Sequence, residues 1–295
     1  MSIYLELVLF ALGLAIGSFL NVFILRYSPE DKFFDWKRTK GRSHCPHCHK
    51  TLSWYELIPL ASYMIQRGRC RVCQARLTVQ YPLVELASAL IFVFVPKIIQ
   101  NFFFFTGTKY TLLLSGSSAI WIIVFLLLLS AFIIDLRHYI IPNTANLTIF
   151  ILGILWVVLG SELGVFSSVF GSSFLKQYGV ALPSFSSIWL NHLLGAVAGS
   201  LFFFLIVVLS RGKAMGMGDV KLIGALGLLF GWPDIGVVIL LSFIIGAIIS
   251  VFLVIKKDKK LSDKVPFGPF IVIASAVVFF VGTGLMKLYF GIIGL

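Results

Sequence analysis

The sequence predicts an all-α polytopic membrane protein of about eight transmembrane helices, with both termini outside and one cytoplasmic zinc-binding loop. Three observations carry this. Long apolar runs recur along a chain that is 59% hydrophobic with a mean hydropathy of +1.01. Lys and Arg gather in a few of the connections between the runs. All four cysteines fall in one polar stretch.

Crossing a bilayer takes about 20 apolar residues. Runs of that kind lie at about 3–25, 83–100, 117–136, 143–161, 188–209, 220–233, 234–255 and 268–290. The first has Glu6 near its start and no basic residue ahead of it, unlike a cleaved signal, and reads as a retained helix. The run 220–233 is short and holds three glycines. Phe102–Leu114 reads as an additional membrane-surface segment, and the outer loop of about 161–187 is rich in Ser, Gly and Phe. No internal repeat is evident, and no low-complexity tract beyond Phe102–Phe105.

Of 24 Lys and Arg, eleven lie between Arg26 and Arg76, one is Arg137, three are Arg211, Lys213 and Lys221, and five lie between Lys256 and Lys264. With eight spans these share one side, leaving Lys97, Lys109, Lys176 and Lys287 on the other. The positive-inside rule makes the rich side cytoplasmic. The net charge of +12 follows from this bias and suits anionic lipid headgroups. No basic stripe interleaved with aromatics points to nucleic acid. The chain divides on this reading into a first helix (1–25), a cytoplasmic zinc-binding loop domain (26–81) and a multi-helix core (82–295).

Cys45-Pro46-His47-Cys48 and Cys70-Arg71-Val72-Cys73 have zinc-ribbon spacing, each pair presenting two thiolates to one tetrahedral ion. A reducing cytosol disfavours disulfides there. His44, His47 and His49 crowd the first pair as solvated or neighbouring groups. Between the pairs, Leu52 to Tyr63 is too apolar for a free loop, and either the zinc subdomain buries it or it lies on the membrane surface. Glu56 is the only acid in that segment and reads as a solvated or capping carboxylate.

Asp135 closes one apolar run, and Asp219 follows Gly216-Met217-Gly218 at the edge of another. Ionisable residues in membrane segments are costly and mark functional sites. Glycines there let backbone approach a substrate. Two carboxylates around one water cannot both ionise, so one acts as acid while the other acts as base. An aspartic protease uses that chemistry. Glu85 is a neighbouring inner-face carboxylate outside the pair. A proton-relay transporter and a non-catalytic scaffold are the readings from other classes, and the first gives the cysteine loop no task.

The ordered motifs resemble the type IV prepilin leader peptidases, bifunctional peptidase/N-methyltransferases of the GxGD aspartic protease group. They are Gly17-Ser18-Phe19-Leu20-Asn21-Val22, the Cys-Pro-His-Cys pair, Trp54 to Leu60, Arg67 to Cys73, Tyr81 to Leu86, Asp135 with Ile141-Pro142-Asn143, Met215 to Leu222, and Pro266-Phe267-Gly268-Pro269-Phe270. The resemblance runs nearly end to end. It implies a multi-pass protein of the bacterial cytoplasmic membrane that cuts leaders from prepilins and pilin-like proteins after a glycine. Asp135 and Asp219 would be catalytic, with Gly216, Gly218, Pro266, Phe267 and Gly268 beside the substrate backbone. It also implies N-methylation of the new terminus with S-adenosylmethionine, placed in the zinc loop with Glu56 and Gly68 as candidate contacts. No GxGxxG loop supports that second activity from the residues themselves.

Overall fold

The structure is a computed structural model that describes residues 2–29, 41–103, 111–162, 173–175, 187–256 and 265–293. The described residues are helical throughout apart from turns and two isolated β-bridges. The helices are α1 (Ile3–Leu25), α2 (Ala61–Ile65), α3 (Gln80–Phe103), α4 (Thr111–His138), α5 (Asn143–Glu162), α6 (Ile188–Leu209), α7 (Met217–Phe230), α8 (Asp234–Ile255) and α9 (Gly268–Ile293), with a 3₁₀ turn at Trp54–Leu57. Seven of them are long and apolar enough to cross a membrane among the described residues. Each apolar run of the sequence became a helix. Residues 104–110, the centre of the anticipated surface segment, lie outside the described residues, as does most of the outer loop.

Two compact units divide the chain, Met1–Lys97 and Ile98–Leu295. In the first, α1 meets α3 through small residues. A Cβ on Gly13 would stand 2.6 Å from Ala89 Cα, and one on Gly17 would stand 2.7 Å from Glu85 Cα. Only glycine permits that approach, the small-xxx-small logic of membrane helix pairs. Residues 82–97 therefore pack with α1. Lys97 Nζ and Glu6 form an ion pair at 2.8 Å toward one end of the pair, and Asn21 Nδ2 donates to Tyr81 O at 3.1 Å toward the other.

In the second unit α7 is the axis. Every residue of it from Asp219 to Phe230, Lys221 excepted, is buried. Its 14 residues give about 21 Å of helix, short of the roughly 30 Å hydrocarbon core. Protein surrounds it, so it does not need to match lipid. Its glycines serve close packing: Gly227 lies against the Gly195 backbone of α6, and Gly224 lies against Ser200. Trp232 N–H donates to Asn191 O at 3.0 Å, which puts the α7–α8 corner level with the start of α6. The run with three glycines is thus a short helix buried in protein, not one of the seven long enough to span a membrane.

At that end Trp121 stacks edge-on with Trp156, Phe174 and Phe230, at 5.6, 5.1 and 5.2 Å between centroids. Phe174 comes from the outer loop. Asp234, fully buried, accepts from Ser173 Oγ and Phe174 N–H, both at 2.6 Å, and so draws residues 173–175 into the core.

Candidate active site

Asp135 occupies the last turn of α4. Tyr139, in the left-handed region at φ 57°, ends that helix while its N–H donates to Asp135 O at 2.9 Å. The chain then runs through Ile141-Pro142 into α5. Asp219 is the third residue of α7, where its Oδ2 accepts the Gly216 N–H at 3.2 Å. A carboxylate there satisfies one of the unpaired donors of a helix start. Its Oδ1 has no hydrogen-bond partner among the described residues. Both side chains are buried, Asp135 at 5% and Asp219 at 8% exposure.

Ile141 joins the two. A Cβ on Gly218 would stand 3.3 Å from Ile141 Cβ, and one on Gly268 would stand 3.0 Å from Ile141 Cδ1 and 2.6 Å from Asp135 Oδ2. Gly268 is the first residue of α9, and its N–H, which has no partner within the helix, donates to the Asp135 carboxylate. Asp135, Gly218, Asp219 and Gly268 thus gather around one isoleucine. Pro266 and Phe267 are half-buried, with Phe267 held by Phe243 and Phe203 at 5.1 and 5.8 Å. This aromatic seat fixes the start of α9. Gly216 is exposed and faces open space apart from Asp219 Oδ2.

Sequence reasoning passed over Asn146. It is buried, and its Nδ2 donates to Gly218 O at 3.2 Å. One turn earlier Asn143 Oδ1 accepts from Lys221 Nζ at 2.8 Å. Both asparagines tie the start of α5 to the start of α7. The available signal was their spacing of three, which places them on one face of a helix.

In the first unit the four cysteine sulfurs lie within 4.8 Å of one another. Cys45 to Cys73 and Cys48 to Cys70 are each 3.9 Å apart. Four sulfurs about 2.3 Å from a central ion would be about 3.8 Å apart, so the cluster fits tetrahedral zinc. The two knuckles are built alike. Cys45 N–H donates to Lys50 O and His49 N–H to Cys45 O, just as Cys70 N–H donates to Ala75 O and Gln74 N–H to Cys70 O. His49 and Gln74 share φ near +57°. A structural repeat with a 25-residue offset therefore exists where the sequence, with little beyond the cysteines and Leu52/Leu77 in common, suggested none. Backbone N–H groups of Cys73 and Val72 hold the Cys70 thiol down, to about 6, whereas at Cys73 the Ala75 N–H is outweighed by burial and the neighbouring sulfurs, which push that thiol up, to about 11. The three nearby histidines are outside the sulfur cluster.

Glu56 and Gly68 have tasks within the loop itself. Glu56 is buried and its Oε2 accepts the Ser53 N–H at 2.8 Å, the capping role. Gly68, at φ +67°, closes the turn against Tyr63 and its carbonyl accepts from Leu77 N–H at 2.8 Å. Glu85 Oε2 accepts the Leu60 N–H at 2.8 Å.

Residues 11–98 match the Bacterial Peptidase A24 N-terminal domain and residues 122–251 match the Type IV leader peptidase family. The Prepilin leader peptidase/N-methyltransferase of Aeromonas hydrophila is 32% identical, covering 97% of this chain and 94% of its own. Proteins of the same name from Pseudomonas aeruginosa and Vibrio cholerae are each 29% identical, covering 94% of this chain and 91% and 97% of their own. No solved structure matches the chain. Matched along nearly its whole length by these relatives, the chain belongs to the type IV leader peptidase family.

Proposed function

We propose that this chain is a multi-pass bacterial inner-membrane aspartic endopeptidase that removes the leader from prepilins and pilin-like proteins, then N-methylates the new terminus. The observation that carries the peptidase reading is the gathering of Asp135 and Asp219 around Ile141, with a glycine beside each. The pair holds one proton between its two carboxyls. The ionised member takes a proton from a water, whose oxygen bonds to the carbonyl carbon of the leader glycine. The protonated member gives its proton to the amine as the C–N bond breaks. The water's hydroxyl stays on the leader and a hydrogen ends on the new N-terminus. Gly268 N–H orients Asp135, Gly216 N–H orients Asp219, and the free Oδ1 of Asp219 faces the reaction.

The zinc loop, residues 26–81, is the proposed seat of methylation, with S-adenosylmethionine as methyl donor and zinc held by Cys45, Cys48, Cys70 and Cys73. Zinc would supply folding energy there, with no part in bond making. Glu56 caps its turn through one carboxylate oxygen and Gly68 closes a turn of the same loop, and both are the candidate contacts to the donor. Family membership supports this second activity. It also counts against a proton-relay transporter. Both termini outside and the rich charge inside complete the topology.

Mass spectrometry of a prepilin incubated with the purified protein and S-adenosylmethionine tests both steps. Loss of the leader mass and gain of one methyl are the expected results. An uncut prepilin would overturn the peptidase, and a cut but unmethylated product would overturn the transferase.

A further inference from the structure

The segment between the knuckles is apolar, outward-facing and fixed to a membrane helix. Trp54, Met64 and Ile65 are 77%, 74% and 77% exposed, and Tyr55 and Ile58 are also exposed. The 3₁₀ turn carrying Trp54 packs on α2, which carries Met64 and Ile65, so these residues belong to one small body. An aqueous loop would bury such residues or do without them.

Its depth is set by one bond. Glu85 lies five residues into α3, about 7.5 Å beyond the helix start at Gln80. Its carboxylate accepts the N–H of Leu60, whose backbone has the unusual φ of 58° and ψ of −53°. A buried carboxylate thus holds the tip of the segment alongside the membrane helix. Val79 and Leu83, at 58% and 60% exposure, continue the apolar surface along the start of α3. The segment therefore stands at headgroup depth.

Charge identifies what covers it. From Arg42 to Tyr81 the chain holds six basic residues, Arg42, Lys50, Arg67, Arg69, Arg71 and Arg76, against one acid, Glu56, which is buried in its cap. Arg71 also stacks over Tyr55 at 5.3 Å. Exposed aromatics in a loop with unbalanced cations suit the boundary of an anionic bilayer, where amphipathic rings sit at the headgroups and each cation gains attraction.

We infer that Trp54 to Ile65 is an interfacial foot, seated in the anionic headgroup layer and held at that depth by Glu85 through Leu60. It fixes the height of the zinc knuckles above the bilayer whether or not a substrate is bound. The inference is independent of the activity proposed above.

The test uses the full-length protein in nanodiscs of phosphatidylglycerol, with and without brominated acyl chains, in the absence of any prepilin. The emission difference between wild type and Trp54→Phe isolates Trp54 among the six tryptophans. We expect that difference to be lost in brominated bilayers and to resist aqueous acrylamide, with weaker bromine quenching in phosphatidylcholine. Quenching by acrylamide and not by bromine would overturn the inference. Shielding that develops only when prepilin is added would overturn it too, and would make the surface a substrate-docking face. Equal quenching in both lipids would overturn the anionic preference.

Discussion

Gly268 donates its backbone N–H to the Asp135 carboxylate, and a single added carbon on Gly268 would stand 2.6 Å from Asp135 Oδ2. The start of the last helix is therefore part of the proposed active site. Gly268→Ala is expected to force Asp135 aside while leaving the membrane helices intact. A displacement near 1 Å from reacting geometry costs about 10²-fold in rate. Initial cleavage rates on a purified prepilin should fall by about that factor, with unchanged expression and membrane insertion. A normal rate would mean that Gly268 is only a helix start.

Asp135→Asn and Asp219→Asn should each abolish leader cleavage, because an amide can neither take the proton of water nor return one to the amine. General acid–base catalysis accounts for about 10²–10⁴ in rate, so either loss is expected to be at least of that order. Expression and zinc content should stay normal. Substantial turnover by either single variant, measured by the gel shift of prepilin, would sink the pairing.

The helices were legible because each run of apolar residues had only one way to satisfy its backbone in lipid. Asp135 and Asp219 stood out as a candidate pair because each interrupts such a run. What could not be read was how the elements pack. Ile141 belongs to an ordinary Ile-Ile-Pro string, and nothing local says that Gly218 and Gly268 close on it from two distant helices. The short run 220–233 looked marginal as a span because the sequence does not reveal that protein, not lipid, surrounds it. Asp234 was hidden for the same reason. Its partners, Ser173 and Phe174, are 61 and 60 residues away in a loop with no pattern of its own.

Gly218→Val should also inactivate. Its Cβ alone would come within 3.3 Å of Ile141 Cβ, and the two methyl groups of valine would push into the chain that follows Asp135. Asn146→Leu tests the same wall from the other side, by removing the donor to Gly218 O. Losing one net hydrogen bond costs about 0.5–1.5 kcal/mol. Both variants should show slower cleavage at unchanged zinc content, and activity at the wild-type level in either would detach α5 from the geometry of the dyad.

Replacing Cys45, Cys48, Cys70 and Cys73 with Ser should remove the metal, since hydroxyls are poor zinc ligands. The two knuckles share one cluster, so losing either pair should release the ion and unfold both. Methylation is expected to collapse, whereas some cleavage persists because the dyad belongs to the other compact unit. Bound zinc, leader loss and methyl gain measured on one purified variant separate these effects. Retained zinc would overturn the ligand set, and full methylation without zinc would move that activity out of the loop.

Asp234→Ala should cost stability and leave the chemistry alone. The wild-type carboxylate accepts two bonds, from Ser173 Oγ and Phe174 N–H, in a fully buried site. Alanine leaves both donors unpaired, at about 1–3 kcal/mol each. It also frees Phe174 from the cluster with Trp121, Phe230 and Phe279. Thermal unfolding in detergent, followed by tryptophan fluorescence, should shift to lower temperature. Asp234→Asn keeps an acceptor for one of the two donors and should fall between alanine and wild type. Below the melting transition the cleavage rate per folded molecule should match wild type, because Asp234 lies at the end of α7 opposite Asp219. A fall in that rate without a fall in stability would make Asp234 part of the reaction.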